Sequence, residues 1–294
     1  MRTLSSWLFG AALSLALGAC GAEPPTTTTP GASASVATTA SAAPSVAPSA
    51  SASAVAAPDR PKAEPYPVPP SLQAIVDAAD RSPEDKALDA GRHPGETLAF
   101  FSIGPGMKVA DLGAGGGYTT ELLARAVGAK GKVWGQNSKF LLERFAEKPW
   151  SERLAKPIMK NVVRADRDFD DPLPPEAKDL DAVVMVLFYH DTVWQKVDRA
   201  KMNANIFKAL KPGGIYAIID HSGREGTGMT ETETLHRIEE KPVVDEILAA
   251  GFKLKGEAQF LRNPADTRDW NDSPKAAGDK RGTSDRFVLA FVKP

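Results

Sequence analysis

Apolar positions along residues 71–294 switch repeatedly between two periods, one of two residues and one near 3.6. Residues 107–113, MKVADLG, form a short apolar run that predicts a strand, and YTTELLARAVG after it places Leu122, Leu123, Ala126 and Val127 on one helical face, with Gly128 as the stop. GKVWGQ predicts a second strand, SKFLLERFAEK a helix opened by a Ser cap, and NVVRAD a third strand. The near-continuous apolar run LDAVVMVLFYHD, residues 180–191, has the character of a central parallel strand covered on both faces. Val193, Val197, Ala200, Ala204, Phe207 and Leu210 then recur at helical spacing up to LKPGG, and IYAIIDHS forms a fifth strand. A further helix is expected through TLHRIEEKPVVDEILAAG, followed by two strands, FKLKGEAQ and DRFVLAFVKP. Strand and helix alternating in this way predict an α/β, doubly wound sheet, which binds ligands beyond the carboxyl ends of its strands.

The chain before residue 71 follows neither period. Arg2, an apolar run from Trp7 to Leu17 and the small residues Gly18 and Ala19 read as an export signal, too short to remain as a membrane-spanning helix. The chain's single cysteine, Cys20, follows at once in LGAC, which resembles the lipobox of bacterial lipoproteins. The resemblance implies a lipid anchor on Cys20 in the cell envelope, and Gly21, where an Asp would retain the protein, leans toward the periplasmic face of the outer membrane in a Gram-negative host. No thiol is then left for disulfide, zinc or nucleophile chemistry. Residues 21–70 are rich in Ala, Ser, Thr and Pro, with no charge from Pro24 to Pro58, and read as a disordered tether stiffened at its end by PYPVPP. With 36 basic and 37 acidic residues and no basic stripe, nucleic acid is excluded as an expected partner.

The candidate chemistry begins at DLGAGGGY. Gly113, Gly115, Gly116 and Gly117 lie between the first strand and its helix, where missing side chains let a ligand approach the backbone. Tyr118 stands where the dinucleotide fingerprint needs its third glycine, which disfavours an NAD-type oxidoreductase. The pattern resembles motif I of the class I S-adenosylmethionine-dependent methyltransferases, and the likeness continues in order through GKVWGQN, an Asp after the third strand, ALKPGGIYAIID and a closing strand pair. VLFYHDTVW and RNPADTRDWN further resemble a group of exported bacterial predicted methyltransferases. The resemblance implies a Rossmann-like, mostly parallel seven-stranded sheet with an antiparallel C-terminal pair, S-adenosylmethionine as cofactor, and transfer of its methyl group to a small-molecule acceptor. It puts Asp111, Gly113, Gly115 and Gly117 along the methionine side and Asp166 near the adenine amino group. The family usually ends the second strand with an acid for the ribose hydroxyls; Gln136 and Asn137 stand here and offer neutral acceptors.

Two strand ends supply groups for the transfer itself. His190 or His221 is the expected general base, Asp191 or Asp220 its orienting partner, and Tyr189 a contact to the sulfonium or the acceptor. Two histidines and two aspartates can bind a divalent ion, but neighbours on a strand point to opposite faces, so no metal is expected. Arg262, Asn263, Arg268 and Trp270 lie in a long polar connection that reads as a lid or substrate wall. His236 is expected on a helix surface, and His93 is assigned no role. A noncatalytic small-ligand module is the second reading: neutral Gln136 and export favour it, while the glycine loop and the two His–Asp pairs oppose it.

Overall fold

A computed structural model describes residues 60–294; the signal, Cys20 and most of the tether lie outside the described residues. Seven strands form one sheet in the order β3-β2-β1-β4-β5-β7-β6: β1 Lys108–Leu112, β2 Lys132–Asn137, β3 Val162–Asp166, β4 Leu180–Val186, β5 Leu210–His221, β6 Lys253–Ala258 and β7 Arg286–Val292. The first five are parallel and β7 runs antiparallel between β5 and β6, as expected from the sequence. The helices are α1 Pro70–Val76, α2 Pro83–Arg92, α3 Pro94–Phe100, α4 Tyr118–Val127, α5 Lys139–Leu141, α6 Glu147–Leu154, α7 Tyr189–Trp194, α8 Arg199–Ala209 and α9 Glu240–Ala249. Ser138 caps α5 by accepting from Leu141 N (3.3 Å), and a wide turn over Leu142–Ala146 joins α5 to α6.

Strand residues alternate between two apolar layers, as buried parallel strands must. Ala110, Leu112, Trp134, Val183 and Met185 face one side with residues of α7, α8 and α9. Val109, Val133, Ala182 and Val184 face the other, against Leu98, Leu122, Leu123 and Trp150. Trp150 is fully buried, and the space its ring needs explains two glycines: a Cβ on Gly117 or Gly135 would stand 2.6 or 2.5 Å from it.

The structure differs from the sequence expectation in three places. Packing starts before residue 71: Tyr66 meets Phe100 edge-on at 5.4 Å, and Glu64 N donates to Gln259 O (3.4 Å). β4 stops at Val186, because Leu187 takes a left-handed backbone (φ 58°) and Tyr189 opens α7, so His190 and Asp191 are not strand residues. α9 starts at Glu240, with Pro242 in its first turn where a missing N–H costs nothing; His236 precedes it on a left-handed residue (φ 52°) rather than mid-helix.

Candidate active site

The glycine loop is held from beneath by the end of β2. Gln136 Oε1 accepts from Gly113 N (3.0 Å) and its Nε2 donates to Arg167 O (2.5 Å). Asn137 Oδ1 accepts from Gly115 N (2.8 Å) while its Nδ2 donates to Gly115 O (3.1 Å). Both side chains are fully buried, and their amides are committed to the backbone of the loop and of Arg167. An acid at either position would lack the donor that each amide gives to a carbonyl.

The glycines divide by what stands beside them. A Cβ at Gly113 would lie 2.6 Å from Phe188, whose ring stacks on Phe169 at 4.9 Å, and Gly117 is closed by Trp150. Gly115, with φ 55°, has nothing within 4 Å of where its Cβ would be. Its bare face therefore opens onto free space at the carboxyl end of β1.

Asp111 is buried in β1, and the Thr120 hydroxyl donates to its Oδ2 (2.6 Å). Burial pushes the carboxyl up to about 7 against the lowering pull of Thr120 and Arg92. Arg92 stacks on the Tyr118 ring at 4.4 Å and has no ion pair or side-chain hydrogen bond among the described residues; burial holds it below its ordinary value. It lines a cavity of about 20 Å³ with Tyr118, Thr119 and Val186. Tyr118 donates to Asp89 Oδ1 (2.6 Å). Arg153 donates to Gly116 O (2.5 Å) and also pairs with Asp85 and Glu121, both at 2.6 Å, tying the loop to α2 and α4. Neither Arg92 nor Arg153 was singled out in the sequence, since only the fold brings them to the glycines.

Asp166 ends β3 opposite Asn137 in register, on the rim of an open groove of about 630 Å³. Its half-exposed carboxylate takes both contacts from Arg164 Nε, at 2.8 and 2.9 Å.

At the neighbouring strand ends three histidines meet: His190 lies in the first turn of α7 just past β4, His221 ends β5, and the bridge of Ile238 to Ser222 brings in His236. His190 Nδ1 is 2.7 Å from Asp220 Oδ1, and Asp220 also accepts from His190 N and His221 N, both at 2.8 Å. His190 Nε2 faces His236 Nδ1 at 3.2 Å and Asp191 Oδ1 at 3.3 Å. Burial disfavours a charge on His190, but Asp220 and Asp191 outweigh it and lift its pKa to about 10. Burial alone would raise Asp191; His190, His236 and Trp194 hold it below the usual carboxylate range instead. His221 pairs across to Asp272, 2.5 Å from its Nδ1, and to Ser284 Oγ at 2.9 Å. Burial depresses its pKa more than Asp272 restores it. His221 and His190 rings lie 5.6 Å apart.

Two expectations change and one residue is added. Tyr189 is fully buried, with its hydroxyl donating to Glu246 Oε2 (2.7 Å) and accepting from Asn203 Nδ2 (3.0 Å), so it packs between α8 and α9 and does not contact an acceptor. His236 is a member of the site, not a surface residue, and Asp272 was missed altogether. His93 contacts Glu96 at 3.1 Å, outside the histidine cluster.

The connection after β6 is a pinned wall. Asp266, fully buried, takes an ion pair from Arg237 (2.8 Å), a bond from Trp270 Nε1 (2.8 Å) and another from Asp285 N (2.7 Å). Arg262 pairs with Glu240 (2.6 Å), Asn263 N donates to Asp285 Oδ1 (2.8 Å), and Arg268 donates to Gly223 O (2.8 Å). These contacts fix residues 262–285 and deliver Asp272 to His221.

Similar solved structures include a SAM-dependent methyltransferase from Aquifex aeolicus, 20% identical over 76% of this chain and 98% of that one, with a TM-score of 0.49. An arsenic(III) S-adenosylmethionine methyltransferase from Chlamydomonas reinhardtii is 17% identical over 78% of this chain and 73% of that one, with a TM-score of 0.48. The family model described as a methyltransferase domain matches residues 103–265, more than half of the 294 residues and the whole run from β1 to the pinned wall. The chain belongs to the methyltransferase domain family.

Proposed function

We propose that the crevice at the carboxyl ends of β1, β4 and β5 binds S-adenosylmethionine and passes its methyl group to a small-molecule acceptor. The observation that carries this reading is the bare face of Gly115, open where Gly113 and Gly117 are closed by Phe188 and Trp150. When bound, S-adenosylmethionine supplies a methyl carbon that takes an electron pair from the acceptor while the carbon–sulfur pair returns to sulfur. Arg92, without an ion pair among the described residues, would hold the cofactor's carboxylate, and Asp111 would set a negative charge near its ammonium. Asp166 lies at the strand end where the adenine edge is expected.

An acceptor that carries a proton must lose it, and the chain offers His221. Ser284 Oγ, 2.9 Å from His221 Nδ1, and the Asp272 carboxylate beside it occupy that nitrogen and would leave Nε2 to take the acceptor's proton, and burial lowers the ring's pKa. His190 is held charged by its two carboxylates and does not suit that task. Replacing Gly115 with Leu tests the placement: cofactor binding should vanish while the fold survives, and unchanged binding would remove the crevice from the account.

A noncatalytic small-ligand module is the second reading, favoured by the commitment of Gln136 and Asn137 to the loop. Formation of S-adenosylhomocysteine with a panel of small nucleophiles separates the two. Export and anchoring belong to the same proposal, with Cys20 as the lipid-bearing residue of an envelope protein. Among the described residues no helix is long and apolar enough to cross a membrane. Labelled fatty acid should appear in the protein and be lost in Cys20→Ser.

A further inference from the structure

We propose that His190, Asp191 and His236 form a binding site for one divalent transition-metal ion of the zinc class. His190 Nε2, Asp191 Oδ1 and His236 Nδ1 stand at the corners of a nearly equilateral triangle, with sides of 3.2, 3.3 and 3.3 Å. A tetrahedral ion about 2.0–2.1 Å from its ligands spaces them roughly 3.3–3.4 Å apart, so the three atoms already have the separation that such an ion demands.

The second layer of contacts fits a metal as well. Asp220 sits on His190 Nδ1 at 2.7 Å, which keeps a ring proton there, so an ion would displace only the other proton, from the Nε2 that faces the triangle. A carboxylate behind a ligating histidine is the usual means of orienting the ring and raising its basicity. Trp194 Nε1 donates to Asp191 Oδ1 at 2.7 Å and steadies the carboxylate. His236 is held from the other side. Arg237 next to it is completely buried, ion-paired to Asp266 and bonded to Ser222 O (3.1 Å), and Ile238 N donates to His221 O (3.0 Å). The left-handed backbone of His236 is a conformation that side-chain residues take at a cost, and this anchoring sustains it.

His190 is buried, whereas Asp191 and His236 keep 15 and 22% of their side chains exposed, so the triangle has one face toward solvent. Three protein ligands and an accessible remaining position are the pattern of a catalytic ion rather than a structural one. An ion there would receive an oxygen, sulfur or nitrogen atom of the acceptor and lower its pKa. That role rests on the methyl-transfer reading above; the metal site itself does not. His190 stands two residues beyond Phe188, whose ring touches the glycine loop, so the site adjoins the crevice.

The test uses purified protein stripped with chelator and titrated with Co²⁺, followed by visible absorption, and then with Zn²⁺. One equivalent of Co²⁺ should give the absorption of a four- or five-coordinate ion, Zn²⁺ should displace it, and Zn²⁺ should raise the melting temperature. His236→Ala and Asp191→Asn should each weaken binding at least tenfold, and Asp220→Asn, which only positions His190, should do so by about 10- to 100-fold. His236→Gln serves as a second variant if the alanine protein is unstable. No absorption and no thermal shift up to millimolar metal would overturn the site, as would binding that His236→Ala leaves unchanged. Metal binding with no binding of S-adenosylmethionine would leave the site standing and sink the crevice reading instead.

Discussion

Asp111 should be a standing cost to the unliganded fold, and Asp111→Asn should reveal it. Its carboxyl is buried in β1 with a single hydroxyl donor, from Thr120, and burial raises its pKa from 3.8 to about 7. A raised acid binds its proton more tightly in the folded chain, so folding stability from this group is greatest below the unfolded pKa and falls as pH climbs from about 4 to about 7. Three units correspond to about 4 kcal/mol at about 1.4 kcal/mol per unit. Asn keeps an oxygen for Thr120 and cannot ionise, but its amide N–H needs an acceptor and gives back about 1 kcal/mol. The variant should therefore unfold at the same or lower urea concentration as the parent near pH 4.5, and be more stable by about 3 kcal/mol at pH 8. Urea melts of both proteins at the two pH values provide the assay, and groups such as Asp85 and Glu121, common to both, cancel in the difference. Parallel stability profiles would refute the reasoning. The same variant should bind S-adenosylmethionine worse, since the charge that strains the empty site is the one placed near the cofactor's ammonium.

Gly115→Ala should melt close to the parent, because its Cβ enters open space at a cost of about 1 kcal/mol of backbone strain, yet lose cofactor affinity in calorimetry. Gly117→Ala combines left-handed strain with a clash on Trp150 and should lose about 2–4 kcal/mol in urea melts. Asn137→Asp, which restores the acid usual in the family, should lower stability by about 1–3 kcal/mol by turning a carboxylate on Gly115 O, without improving affinity; tighter binding would refute the loop-shaping role. Arg237→Met strands Asp266 in the core and should cost about 3–5 kcal/mol, with new protease cuts in 262–285.

The sheet was legible because its strands are short apolar runs separated by helices of clear period, and the glycine loop because its residues are contiguous. Two local signals were misread. The apolar run through Phe188 and Tyr189 looks like one strand, but Leu187 turns left-handed and starts a helix, so the alternation that argued against a metal does not hold for His190 and Asp191. The helix expected through TLHRIEEKPVVDEILAAG begins only at Glu240, since Pro242 belongs to its first turn, and this leaves His236 outside it. The partners of His221 and Asp266 were beyond reach, since Asp272, Ser284 and Arg237 meet them only through tertiary packing. The bonds of Gln136 and Asn137 to the glycine loop were likewise out of reach, since they depend on the loop backbone that these residues support.

The most direct test is calorimetric titration of the purified protein with S-adenosylmethionine and S-adenosylhomocysteine, with NAD as the control. One-to-one binding of the first two, no heat from NAD, and loss of binding in Gly115→Leu are the results the account predicts. Absence of binding to either sulfur compound, or binding that Gly115→Leu leaves intact, would contradict it.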